Sequence, residues 1–121
     1  MRKKFLVSAM LSMLLACAGS QGPGKVTTSS GTDISLGGGN GDSYETAVII
    51  KGARKQSEGL EAEYSYLSQL HGEKDKTWRI HGQSIFREEK RVYDVIEIEL
   101  IPSNEKRIYY FDVTKLPWDK K

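Results

Sequence analysis

Between Ser57 and Gly72 the apolar positions recur at helical intervals. At about 100° per residue, Leu60, Tyr64, Leu67 and His71 fall within about 60° of one another. Leu70 and Tyr66 widen this into an apolar arc of about 160°, enough to seat a helix on a core. Ser57 is a good N-cap, Glu58 and Glu61 put negative charge in the first turn, and Gly72 stands where a helix C-terminus favours glycine. A helix is therefore predicted over 57–71.

The period then changes to two. Ile96, Ile98 and Leu100 alternate with Glu97 and Glu99, which predicts a strand over 92–101 with one face buried. Trp78 to Arg87 and Arg107 to Thr114 read as two further strands, separated from it by the polar turns 88–91 and 102–106. Ahead of the helix, Thr46 to Lys51 (TAVIIK) is a short β-branched strand. Leu116-Pro117-Trp118 is expected to lie back on the core. These elements predict an α+β domain over 44–121 with the order β-α-β-β-β, one helix packed on a four-stranded, largely antiparallel sheet. That element order resembles the cystatin-like roll, in which a meander curls around a helix. The resemblance is of order alone and carries no function with it.

The first forty-three residues have neither period. Arg2-Lys3-Lys4 precedes twelve mostly apolar residues, Phe5 to Ala16, a run too short to span a bilayer but laid out as a secretion signal. Leu14-Leu15-Ala16-Cys17 resembles the lipobox of bacterial lipoproteins. The resemblance implies cleavage before Cys17, transfer of diacylglycerol to its thiol and anchoring in the lipid bilayer. With Ala18 rather than aspartate after the cysteine, it also implies export to the outer membrane where the cell has two. Residues 18–43 hold eight of the twelve glycines, with Val26, Ile34 and Leu36 scattered singly. Residues 17–43 are accordingly expected to be the lipidated cysteine and a flexible tether with a typical reach of about 25–31 Å. Gly37-Gly38-Gly39-Asn40-Gly41 has neither the strand and helix nor the Lys-Ser/Thr of a phosphate-binding loop.

Composition changes this picture in two respects. The whole chain has a formal charge of +2, but losing Arg2, Lys3 and Lys4 leaves 15 basic residues against 16 acidic. A mature charge of −1 gives no basic footprint for nucleic acid. The one cysteine, Cys17, is claimed by lipid, so the domain is without an internal disulfide and relies on its hydrophobic core.

Candidate chemistry is sparse. His71, Glu73 and Asp75 alternate near the end of the helix, but Lys74 and Lys76 among them oppose a cation, and no metal or other cofactor is expected. Glu63 lies inside the apolar arc. Buried there, its carboxyl would have a raised pKa, a mark of functional sites; otherwise it reaches solvent at the helix edge or bonds to an aromatic hydroxyl or indole. By strand parity Asp94 shares a face with Ile96 and Ile98, and Asp112 with Ile108 and Tyr110. Both acids are expected near sheet ends, solvated or bonded to turns, although a carboxylate pair could do acid–base work. Ser84 has no nucleophile elbow around it. No catalytic residue is assigned.

Aromatic residues give the better lead. Tyr109 and Phe111 share one face of the last strand, and Trp78 and Tyr93 add to the set. A single helix covers one face of a sheet; the other is either covered by the linker or C-terminal tail, making the last strand central, or presents these residues as a binding surface. The expected function is that of a membrane-anchored, non-enzymatic binding domain in the cell envelope, its partner an envelope or extracellular protein or a glycan. The alternative is a small hydrolase-like envelope enzyme using carboxylates such as Glu63.

Overall fold

The computed structural model describes residues 24–118. The signal sequence, Cys17 and residues 119–121 lie outside the described residues. The chain forms β1 (Gly24–Thr27), β2 (Asp33–Gly38), β3 (Val48–Lys51), α1 (Gln56–His71), β4 (Trp78–Glu88), β5 (Arg91–Leu100) and β6 (Lys106–Asp112). All six strands join one sheet in the order β1-β2-β3-β6-β5-β4. The β3–β6 pair is parallel, Val48 opposite Phe111, and the other neighbours are antiparallel. The class is α+β, with one helix among the described residues, but the sheet is mixed and six-stranded rather than four-stranded. Among the described residues no helix is long and apolar enough to cross a membrane.

The two additional strands come from the segment expected to be a tether. Val26, Ile34 and Leu36 are buried core residues, and Ile34 and Leu36 alternate with Asp33 and Ser35 as a half-buried strand requires. The glycines after them serve close packing rather than slackness. A Cβ on Gly38, whose φ is +75°, would lie 2.6 Å from the Ala47 carbonyl oxygen, and one on Gly39 would lie 2.7 Å from the Thr46 Cα. A strand thus does precede the glycine run, but it leads into β3 and not into a helix, so the run forms no phosphate-binding loop. The Gly41 carbonyl accepts from the Tyr110 N–H at 2.9 Å, and Tyr66 Oη donates to the Asn40 carbonyl at 2.7 Å. These bonds tie the β2–β3 connection to both β6 and the helix.

Helix α1 begins one residue before the expected Ser57. Lys55 stands at the N-cap and makes no side-chain capping bond. The acids of the first turns clamp the β1–β2 hairpin instead. Glu58 accepts from Ser30 Oγ (2.6 Å), Thr32 Oγ1 (2.8 Å) and the Arg54 N–H (2.8 Å), and Glu61 accepts from the Ser29 N–H (2.7 Å). The hydrogen bonds from Ser30, Arg54 and Thr32 hold the Glu58 carboxyl down at about 2. A depressed carboxyl stabilises the fold above its unfolded value of 4.5, and the effect is lost as pH falls toward 2. Glu58→Ala should therefore lower the melting temperature by ~5–10 °C at pH 7 and by much less near pH 2. Paired thermal melts at the two pH values check this; equal losses at both would refute the clamp.

The helix sits on the sheet rotated from the orientation its leucines suggest. Its buried residues are Glu58, Gly59, Ala62, Glu63, Tyr66 and Leu67, while Leu60 and Leu70 are 37% and 49% exposed. This buried arc is turned by about 70° from the apolar arc. Gly59 and Ala62 give this side of the helix a low profile: a Cβ on Gly59 would lie 2.7 Å from Leu116 Cδ1 and would push that side chain aside. Leu116 and Trp118 do lie back on the core. At the other end Gly72 donates its N–H to the Ser68 carbonyl (2.8 Å), and its own carbonyl accepts from Trp78 Nε1 (2.7 Å).

Candidate functional site

The aromatic residues separate by strand parity. Phe111 and Trp78 are fully buried and Tyr109 is 7% exposed, all three on the face covered by α1. Phe111 meets the edge of Tyr66 at 5.9 Å between ring centroids. Tyr109, Phe111 and Trp78 are therefore core residues, not a binding surface. The correction follows from register: Phe111 pairs with Val48 and Asp94, both of which point under the helix.

Tyr93 alone of the four candidates lies on the opposite, outer face. It sits with Phe86, its cross-strand neighbour, and with Tyr110 and Ile108 of β6. Tyr44, from the β2–β3 connection, packs against Tyr93 and Tyr110 with centroid separations of 4.9 and 4.7 Å. Phe86 and Ile108 are 46% and 47% exposed. Alternation sets Tyr110 on the face opposite Tyr109 and Phe111 but does not say which face is outward. Only the pairing phase assigns it outward.

The acids divide the same way. Asp112 lies on the outer face, where Arg91 Nη1 donates to its Oδ2 at 2.7 Å and Thr114 donates to its Oδ1 through both N–H (3.0 Å) and Oγ1 (2.6 Å). It fastens the end of β6 and is fully engaged. Asp94 points under the helix and is buried rather than solvated. No Asp94–Asp112 pair forms. Asp94 instead meets Glu63, and the two carboxyls bond to each other. Glu63 is 1% exposed, and its pKa is held well above the usual carboxylate range by burial first, then by the hydrogen bond to Asp94 and its charge. Gln83 Nε2 donates to Asp94 Oδ2 at 2.8 Å, and Tyr64 Oη donates to Gln83 Oε1 at 3.1 Å.

These two acids border a cavity of about 260 Å³ lined also by Leu60, Ile85, Val113, Leu116 and Trp118. Gln83 and Ile85 reach it because the β4–β5 register shifts between Ile80 and Gly82. Without that bulge, the parity begun by Trp78 and Ile80 would turn both residues outward. Gly82 inside a strand was the available signal, since glycine there marks bulges. The shift leaves Ser84 outward, remote from the pair.

The trio near the helix end does not converge on an ion. His71 Nε2 is 2.7 Å from Tyr109 Oη, and burial, then Arg107, lowers its pKa. Glu73 and Asp75 pair with Lys76 (3.8 Å) and Lys74 (3.2 Å). Among the described residues no group of three or more His, Cys, Asp or Glu is placed to hold a metal ion.

Fold and site together define a small α+β domain with a single-helix cover, an aromatic outer sheet face and a buried acid pair beside a cavity. Comparison with family models, curated proteins and solved structures returns no match to this chain.

Proposed function

We propose that this protein is a lipid-anchored lipoprotein of the bacterial envelope, and that its domain is a non-enzymatic binding module which docks a protein or glycan partner on the outer face of the sheet. The observation that carries this reading is the Tyr44–Tyr93–Tyr110 cluster, flanked by half-exposed Phe86 and Ile108 on a face that no described helix covers. Aromatic side chains with apolar neighbours supply large contact area at small entropic cost, and contiguous patches of this kind mark interaction sites.

The lipobox supports the anchor. Its geometry differs from that of a long arm, because β1 starts at Gly24. Seven residue steps from Cys17 to Gly24 span at most about 25 Å, so a lipidated Cys17 keeps the domain close to the headgroups. Acyl chains contributing about 0.8 kcal/mol per buried CH₂ make such an anchor stable.

The acid pair supports binding more than catalysis. The walls around it are mostly apolar, the Gln83 amide already donates to Asp94, and the Trp118 indole donates to the Val113 carbonyl at 2.9 Å.

Site-specific photocrosslinking in intact cells tests the reading. The full precursor would carry a photoreactive phenylalanine at Phe86, at Ile108 or, as a control on the opposite side, at Leu70. A discrete adduct from Phe86 and Ile108 but not from Leu70 is expected, together with palmitate labelling that Cys17→Ser abolishes. Adducts of equal yield from all three positions, or from none, would reject the docking face. Labelling that survives Cys17→Ser would reject the anchor.

A further inference from the structure

Two carboxyls buried side by side disfavour double ionisation, so Glu63 and Asp94, which border one cavity, favour sharing a proton over carrying two charges. Buried charge is ordinarily offset by a cation or by several donors. Here the offset is incomplete. Glu63 Oε1 and Asp94 Oδ1 are both buried and receive no hydrogen bond from a donor group of the protein among the described residues. None of the described ion pairs involves either acid. Arg87, the cation at the Trp118 end of the cavity, is stacked over the Trp118 ring at 4.9 Å from its centroid. Among the described residues, Gln83 Nε2 is the one side-chain donor seen to reach the pair, at Asp94 Oδ2.

The space beside the pair has a definite character. It is bordered by Glu63 and Asp94 and walled by Leu60, Ile85, Leu116 and Trp118. Its 260 Å³ is ample for a small organic molecule rather than a lone water. Besides the two carboxyls the lining offers Gln56, Ser57 and Gln83, neutral groups that suit a hydrogen-bonded organic cation better than a metal ion, which favours carboxylate-rich shells. A ligand with one ammonium and a short apolar body matches both the charge and the wall.

We propose that this cavity is a binding site for a small organic cation, a primary ammonium on a short alkyl or aryl body, which donates N–H bonds to Glu63 and Asp94 while its apolar part rests on Leu60, Ile85 and Trp118. The site lies under the helix and is independent of the outer sheet face. Leu60 and Ile85, 37% and 44% exposed, stand at its mouth and admit the ligand from solvent.

The test uses the full-length chain in detergent micelles with ¹³C-labelled Ile and Leu methyl groups, titrated with benzylammonium chloride at pH 7. Local methyl shifts separate binding in the cavity from partition into micelles. Saturable shifts of the Ile85 and Leu60 methyls are expected, with benzyl alcohol, the neutral isostere, binding at least ~10-fold more weakly. Asp94→Asn should weaken benzylammonium by at least ~10-fold, as one full charge is removed from a buried contact. Leu60→Trp keeps both acids and fills the mouth, and it should abolish the Ile85 shift while the domain stays folded. That variant decides the matter if Asp94→Asn fails to fold. Equal affinity for benzylammonium and benzyl alcohol, an unchanged Ile85 shift in Leu60→Trp, or no saturable shift up to ~10 mM would each overturn the proposal.

Discussion

Phe111→Ser is expected to lower the stability of the domain by several kcal/mol. The ring is fully buried, packed on Tyr66 and set opposite Val48 at the parallel junction between β3 and β6. Removing a buried phenylalanine costs about 3–5 kcal/mol, and a serine hydroxyl adds an unsatisfied polar group. Small domains are stable by about 5–15 kcal/mol, so the loss is a large part of the whole. Phe86→Ser, on the outer face, should change stability by no more than about 0.5 kcal/mol, as exposed substitutions do. Urea denaturation of the two variants followed by circular dichroism distinguishes them. Similar midpoints would mean that Phe111 is not in the core.

The second large effect concerns pH. Glu63 has its carboxyl raised in the folded state by burial and by Asp94. For an acid whose folded pKa lies above its unfolded value, the folded state binds more protons. Its contribution is complete below the unfolded value of 4.5 and declines as pH rises through the folded pKa. Within that window each pH unit lowers stability by about 1.4 kcal/mol. Glu63→Gln keeps an N–H donor for Asp94 and removes the ionisation, so its stability should stay flatter from pH 5 upward. As pH rises above 5 the variant should become progressively more stable than the parent. At pH 4 the two should nearly coincide. Denaturation midpoints measured from pH 4 to pH 9 provide the comparison, and parallel profiles would rule out a buried protonated Glu63.

The same two residues illustrate how far the primary structure reaches. Glu63 stands out from periodicity alone, because a carboxylate inside a helical apolar arc is unusual in any context. Its partner is a different matter. Asp94 and Asp112 have similar apolar neighbours in their strands, and only the sheet register sends one under the helix and the other to the outer face. Gln83 and Ile85 join the cavity through a bulge that a two-residue alternation cannot anticipate.

The aromatic residues follow the same division. Alternation distinguishes Tyr110 from Tyr109 and Phe111 but does not say which set faces the helix. Tyr44 reaches the outer cluster from a connection outside the strands. The outer face thus carries Tyr93 together with Phe86, Ile108, Tyr110 and Tyr44, whereas Trp78, Tyr109 and Phe111 lie in the core.

By itself the sequence determined the helix, the three-stranded C-terminal meander and the short strand before the helix. Each has enough apolar residues at one period to declare its own buried face. The resemblance of Leu14-Leu15-Ala16-Cys17 to a lipobox is equally local, resting on contiguous residues. Only the tertiary structure decided that the glycine-rich stretch ahead of residue 44 supplies two more strands. β1 and β2 hold one and two buried aliphatic residues, too few for a local period, and they become strands because β3 offers an edge and Glu58 and Glu61 clamp their hairpin. Tertiary packing also turned the helix toward Gly59 and Ala62. Close approach to Leu116 depends on the absence of side-chain atoms, which a hydrophobic pattern does not register.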